Sequence, residues 1–334
     1  MTAGPAQEPL VGVVTPAYNA EQHLSECIES VLAQTYENWE YLIVDNRSTD
    51  ATHEIAQRYA KQDPRIRVRR NTEHVGALQN HNIALRNIPP QAKYAKIVQA
   101  DDFLFPDCLR LMVAVGEAYP SAGIVGSYTL KGSLVDGDGL PYPSTLVAGR
   151  EVCRETLFGR LHVFLAPSVL LYRGDCVRRR ERFFNESHLH ADSEACFDVL
   201  QDTDFGFVHQ VLTYRRVHQD SMSSTVAMRY NTYVPAWLDI LQRYGHIYLS
   251  PAEFDRLWTS GLDNYYAFLA RSLLRRKGPQ FWAFHRRELE RIGSPLSPRR
   301  LVATSLRLTG NVCLYPLRAV RRALALGGRR PGPA

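Results

Sequence analysis

Across the first 130 residues, short apolar runs alternate with segments whose apolar residues recur at helical spacing. That alternation leaves few folds open. Val11-Gly12-Val13-Val14 is a buried-strand run ended by Thr15-Pro16. Glu21 to Gln34 carries Leu24, Cys27, Ile28, Val31 and Leu32 on one helical face. Tyr41-Leu42-Ile43-Val44 is a second strand that stops at Asp45, and Ser48-Thr49-Asp50 offers a cap for a helix over Ala51–Gln62. Ile66 to Val68, Lys96 to Val98 and Gly123 to Gly126 continue the strands, with helices at Gly76–Asn87 and Pro106–Tyr119 between them. A β-α-β-α order of this kind predicts an α/β fold, a mostly parallel sheet with helices on both faces. Ligands in such sheets bind beyond the carboxyl ends of the strands. Asn19, Asp45 and Asp101-Asp102 all fall just past such ends, so residues distant in sequence are expected to converge.

Val98-Gln99-Ala100-Asp101-Asp102 is the stretch richest in chemistry, a strand running into two adjacent carboxylates. Paired acids there are costly without a cation or hydrogen-bond donors. Mg²⁺ and Mn²⁺ take one or two carboxylates plus substrate phosphates, so the stretch suggests a metal–nucleotide site. The alternative is an Asp that caps the helix starting near Pro106-Asp107, with its neighbour solvated.

Further along, Lys131–Arg150 is rich in Gly, Pro and Ser and reads as a long surface loop. Val169–Tyr172 and Phe207–Tyr214 read as later strands, with a helix opening at His190-Ala191-Asp192 between them. From about residue 235 the pattern turns helical and aromatic. The six cysteines are scattered without C-x-x-C spacing, against a zinc site or a disulfide framework and in favour of a reducing compartment. No apolar run is long enough to span a membrane, and Met1 to Leu10 has no secretory pattern. The net charge of +6 is uneven: residues 271–334 hold 15 Lys and Arg against Glu288 and Glu290. A tail so basic favours an anionic surface, lipid or nucleic acid.

Thr15-Pro16-Ala17-Tyr18-Asn19, Ser30 to Tyr36, Tyr41 to Asp50, Gly76 to Asn82 and Gln99-Ala100-Asp101-Asp102, in this order, resemble the nucleotide half of the family-2 inverting glycosyltransferases. The resemblance covers roughly residues 10–220 and implies the GT-A fold. It implies that Thr15, Pro16 and Tyr18 line a nucleoside pocket and that Asp45 accepts from the imide N–H of a uracil-type base, where a turn-forming Asp is the alternative. Arg47 faces the phosphates or solvent. Asn80 and Asn82 lie near the nucleotide or serve the helix. Asp101 would bind ribose, and Asp102 a Mn²⁺ or Mg²⁺ ion that bridges the phosphates, with His218 as a further metal or diphosphate ligand. Gln99 stands where many relatives carry another acid, and Ala191 where they carry a Glu. Asp192 would be the base, Glu194 its rival or orienting neighbour, and the plain alternative is a helix N-terminal carboxylate favoured by the dipole. His188, His190 and His209 read as surface or acceptor-pocket residues.

Together these imply a metal-dependent, inverting enzyme of hexosyltransferase type. It would move a sugar from a nucleotide diphosphate donor, a UDP-sugar, to a hydroxyl of a glycan or lipid-linked acceptor for cell-surface polysaccharide or glycolipid. The processive Q-x-x-R-W pattern is absent, which points to single additions. The expected organisation is a transferase domain over 1–230, a helical extension over 231–298 and a basic amphipathic tail over 299–334. That tail would lie on the inner face of the cytoplasmic membrane with Leu301, Leu306, Leu308, Leu314 and Leu317 dipping in, or it ends an ordinary helix bundle. A catalytically silent nucleotide-sugar-binding relative is the competing reading. A nucleic-acid binder is disfavoured, because basic and aromatic residues are not interleaved.

Overall fold

A computed structural model describes residues 8–188, 190–217 and 227–309. The chain divides into two compact units, one reaching to Ala227 and including Tyr244–Leu249, the other made of Met228–Arg243 and the chain from Ser250 onward.

The first unit opens with β1 (Val11–Ala17), α1 (Leu24–Leu32), β2 (Trp39–Asp45), α2 (Thr52–Ala60), β3 (Ile66–Arg70), α3 (Ala77–Arg86) and β4 (Tyr94–Ile97). These are the expected strands and helices with ends shifted by a few residues. Then follow β5 (Phe103–Leu104), α4 (Cys108–Ala118), β6 (Ala122–Lys131), β7 (Leu134–Asp136), β8 (Leu146–Val147), α5 (Gly149–Leu157), a 3₁₀ turn at Pro167–Val169, β9 (Leu171–Arg173), α6 (Gly174–Arg178), α7 (Ala191–Val199) and β10 (Asp204–Arg215). All ten strands join one sheet in the order β3-β2-β1-β4-β9-β6-β10-β5, with β7 on β6 and β8 on β10. Strands β3, β2, β1 and β4 are mutually parallel, as are β6 and β10, whereas β9 and β5 insert antiparallel. The sheet is therefore mixed, parallel in the half that carries Asp45 and Asp101-Asp102.

Alternation along β1 assigns its two faces. Val11 and Val13 join a core with Leu24, Cys27 and Ile28 of α1, Ala56 and Tyr59 of α2 and Leu109 and Met112 of α4. Gly12 points the other way, where a Cβ would sit 3.0 Å from that of Ile88, just past α3. Helices thus cover both faces, and side chains at odd β1 positions, Thr15 included, belong to the α1/α4 side.

The stretch 131–150 is not plain loop: β7 and β8 lie within it, and α5 starts at its end. Gly149 explains why that start is hard to read. Its position needs no side chain, because a Cβ would come 2.0 Å from the Thr203 carbonyl oxygen and 2.6 Å from that of Leu200.

The second unit contains α8 (Met228–Tyr230), most of α9 (Tyr233–Tyr248), α10 (Pro251–Leu274) and α11 (Pro279–Arg291), and a helix from residue 298 to at least 309. Helix α10 begins with a full capping box between Ser250 and Glu253. Leu238, Leu262, Tyr265, Leu269, Phe281 and Leu289 form its core. Leu301, partly buried, packs against that core too, whereas Leu306 is exposed. Leu314 and Leu317 lie outside the described residues. No helix among the described residues is long and apolar enough to cross a membrane.

Candidate active site

The carboxyl ends of β2 and β4 lie on either side of β1, because Ala17 pairs with Asp45 and Val14 with Ile97. Asp45 is fully buried at the first of these ends. Its Oδ1 accepts from the Ser48 N–H at 3.0 Å. Its Oδ2 lies 3.0 Å from Arg70 Nε and 3.5 Å from His53 Nδ1. Neither approach meets hydrogen-bond geometry, and Oδ2 has no hydrogen-bond partner among the described residues. Asp45 is therefore a buried carboxyl beside the Arg70 guanidinium with one acceptor position unfilled among them. Arg70, at the end of β3, also donates to the Ser48 carbonyl at 2.8 Å; nothing in its local sequence marks it out.

Around Asp45 the loops are tied by amides. Asn71 Nδ2 donates to Asn46 Oδ1 at 3.0 Å and to Asn80 Oδ1 at 2.8 Å, and Asn80 Nδ2 donates to the Val44 carbonyl at 3.3 Å. Asn82 donates to the Phe184 carbonyl and to Glu186, and accepts from the Phe184 N–H. Both Asn80 and Asn82 are buried, and their hydrogen bonds tie α3 to neighbouring loops. Thr15 is likewise buried, its hydroxyl 2.7 Å from that of Tyr41 and 3.8 Å from Cys27 Sγ. Its side chain belongs to the core beneath the site. Pro16 is buried beside it. Tyr18, by contrast, is 49% exposed, with its ring 4.5 Å from that of His74. Arg47 is exposed and left-handed at φ 60°, a conformation uncommon away from glycine.

Asp102 does not cap α4. It is buried, its Oδ2 accepts from Ser168 Oγ at 2.7 Å and its Oδ1 from the Arg216 N–H at 3.1 Å. Ser168 in turn accepts from the Gln99 N–H at 3.0 Å, so one hydroxyl in the 3₁₀ turn holds the whole acidic turn. Burial, reinforced by the charge of Asp101, raises the Asp102 carboxyl to about 7 against the pull of Ser168, Arg216 and Arg215. Asp101 is half-buried, and its carbonyl accepts from Arg216 Nε at 3.1 Å. Arg216 also pairs with Glu26 of α1, which clamps the acidic turn to that helix. Beneath the turn, burial pushes the Cys27 thiol up to about 12.

Asp192 sits in the first turn of α7. Its carboxyl is crowded by protein atoms although the residue keeps some exposed surface. Burial raises its pKa, opposed by the Ser193 N–H bond at 2.8 Å and by the charge of Arg215. Glu194 is more enclosed. Asn185 Nδ2 donates to both its oxygens at 3.3 and 3.0 Å, and the Tyr244 hydroxyl reaches it at 3.5 Å. His188, read from sequence as a surface or acceptor-pocket residue, is buried, with Nδ1 4.0 Å from Glu194. His209 bridges the Tyr128 hydroxyl and the Ser144 carbonyl at 3.0 and 2.9 Å. Arg215, at the end of β10, acts electrostatically on both Asp102 and Asp192. Its guanidinium lies 3.6 Å from Asp136 Oδ2.

His218 lies outside the described residues. Among the described residues no group of three or more His, Cys, Asp or Glu could hold a metal ion. The donor chemistry still suits a hard cation, since a desolvated carboxyl raised by burial beside a second carboxylate is relieved by positive charge.

A mixed sheet with acidic side chains gathered at its carboxyl edge is the nucleotide-binding architecture of the GT-A glycosyltransferases. The model for Glycosyl transferase family 2 matches residues 12–172. The putative glycosyltransferase EpsE of Bacillus subtilis is 30% identical over 226 residues, 62% of this chain and 78% of that protein. The chain belongs to glycosyl transferase family 2. Four further curated relatives are covered over only 14% to 47% of their lengths. Among solved structures, residues 1–349 of S. aureus TarS in complex with UDP match with a TM-score of 0.61 and 17% identity, over 94% of this chain and 87% of that one. The mannosyltransferase PcManGT of Pyrobaculum calidifontis, in complex with GDP-Man and Mn²⁺, matches with a TM-score of 0.54 and 17% identity, over 94% and 83%. At such identities the structural matches establish the fold.

Proposed function

We propose that the chain is an inverting transferase. It takes a sugar from a nucleoside diphosphate donor with a uracil-type base and places it on a hydroxyl of a glycan or lipid-linked acceptor of the cell surface. The observation that carries this reading is the buried acidic turn past β4, where Asp102 is held by Ser168 Oγ at 2.7 Å and by the Arg216 N–H at 3.1 Å. Asp102 suits the phosphate side of a sugar, and Asp192, in the first turn of α7, its opposite face. The UDP complex of TarS supports a uracil donor.

The unfilled acceptor position on Asp45 Oδ2 would take the imide N–H of the base. Tyr18 would cover the base and Asp101 the ribose hydroxyls. Asp102 would hold Mn²⁺ or Mg²⁺ with the donor phosphates, and the cation, when bound, supplies charge compensation for the leaving diphosphate. Asp192 would remove the proton from the acceptor hydroxyl as that oxygen attacks the anomeric carbon. Burial raises its carboxyl above the ordinary carboxylate value, which makes its ionised form a stronger base. Glu194 would hold the start of α7 through Asn185 and Tyr244.

A panel of nucleotide sugars with Mn²⁺ or Mg²⁺ tests this by thermal shift, since a ligand that binds only the folded state raises its melting temperature. UDP-sugars should raise it most. Asp102→Ala should abolish the metal-dependent part of the shift. Asp192→Asn should keep the donor shift and lower transfer by about 10²-fold or more. A wild-type chain that binds donor but neither transfers nor hydrolyses it would favour the silent relative suggested by Gln99 and Ala191.

A further inference from the structure

The turn between α10 and α11 leaves its side chains outside the packing of the second unit. Leu269, Ala270 and Ser272 of α10 are buried, but every residue from 273 to 280 is exposed. Two of these are leucines, Leu273 at 44% and Leu274 at 58%. One exposed leucine is ordinary; two adjacent ones set among four cations make an amphipathic surface. Arg271, Arg275, Arg276 and Lys277 are all exposed, and no ion pair is recorded for them among the described residues. The dipole at the end of α10 accounts for cations in its last turn. It does not account for the chain remaining basic through the reversal, where Arg276 adopts φ 51°.

Beside this turn lies a cavity of about 370 Å³ lined by Arg229, Tyr230, Lys277, Gly278, Gln280 and Phe281. The Arg229 guanidinium stands 5.5 Å from the Tyr230 ring centroid, and Lys277 Nζ stands 5.9 Å from that of Phe281. The lining therefore combines cationic heads with an apolar floor, and the start of α11 adds its partial positive charge. We propose that this corner docks on a membrane surface, the cavity taking an anionic phospholipid head group and Leu273-Leu274 entering the acyl region. Charge complementarity selects an anionic surface. The leucines select lipid over nucleic acid, for which an exposed aromatic stacking platform would be needed; Phe281 is buried and Tyr230 half-buried. The docking surface is thereby assigned to the α10–α11 corner. It makes no use of the transfer chemistry, so either reading can fail alone.

The test is co-sedimentation of the full-length chain with phosphatidylcholine vesicles with and without phosphatidylglycerol. Binding should require phosphatidylglycerol. Arg275→Glu with Lys277→Glu should lower the partition coefficient by about tenfold or more. Leu273→Ser with Leu274→Ser should remove the binding that survives high salt, and the thermal midpoints of both variants should match wild type. Wild-type binding by either double variant, equal binding to pure phosphatidylcholine, or a preference for a short RNA over the vesicles would overturn the proposal.

Discussion

Asp102 is a carboxyl held where ionisation is unfavourable, and its pH behaviour follows. Unfolded, it titrates near 3.8; folded, near 7. Folding therefore takes up a proton between those values. The stability it contributes is fully present below about pH 4 and is lost as pH rises through 7. The difference is on the order of 4 kcal/mol. In urea unfolding, Asp102→Asn should thus gain on wild type from pH 5 to pH 8 and lose that advantage in acid. Cation binding has the opposite sign, because a metal ligand must be deprotonated, so Mn²⁺-dependent donor affinity should strengthen between pH 6 and 8. Ser168→Ala would remove the hydroxyl between Asp102 and the Gln99 N–H. It should cost about 1–3 kcal/mol and move the pH profile of donor binding upward, which equilibrium titration at several pH values would show. The acidic pair stands out in the sequence because two carboxylates end an apolar run. Ser168 does not, since its partner lies 66 positions away.

At the scale of elements, the loops after β2 and β3 are joined to α3 by Asn46, Asn71 and Asn80, not by apolar packing. Asn71→Ala would leave the buried Asn80 Oδ1 without its donor and Asn46 Oδ1 with the Val75 N–H alone. It should destabilise by about 1–3 kcal/mol and weaken donor binding together, read by calorimetric unfolding and donor titration. Asn80 was legible as a polar helix residue near the site, but only its neighbours reveal that it serves the scaffold. Helix α5 was missed where the opposite error applies. Its start is a glycine among loop-forming residues, yet Gly149 is required by the Thr203 and Leu200 carbonyls. Gly149→Ala should cost about 1–3 kcal/mol by overpacking, measured as a fall in the urea midpoint.

At the scale of the molecule, the described start of the basic C-terminal region belongs to the second unit. The helix from residue 298 packs Leu301 on the core of the second unit, and Arg300 pairs with Asp263 at 2.9 Å while standing 4.6 Å from the Tyr266 ring centroid. Removing 299–334 should therefore lower the unfolding temperature of that unit. Differential scanning calorimetry of the truncated and full-length chains reads this outcome.

The sequence by itself determined the strand–helix alternation, and with it a sheet whose carboxyl edge collects Asp45, Asp101 and Asp102, because periodicity and strand ends are local properties. Only the tertiary structure decided which polar residues at that edge face the site. Thr15 turns inward to Tyr41, while Arg70, Ser168 and Arg215 arrive from later in the chain. Orientation and charge compensation depend on neighbours that packing supplies, and no local pattern records them.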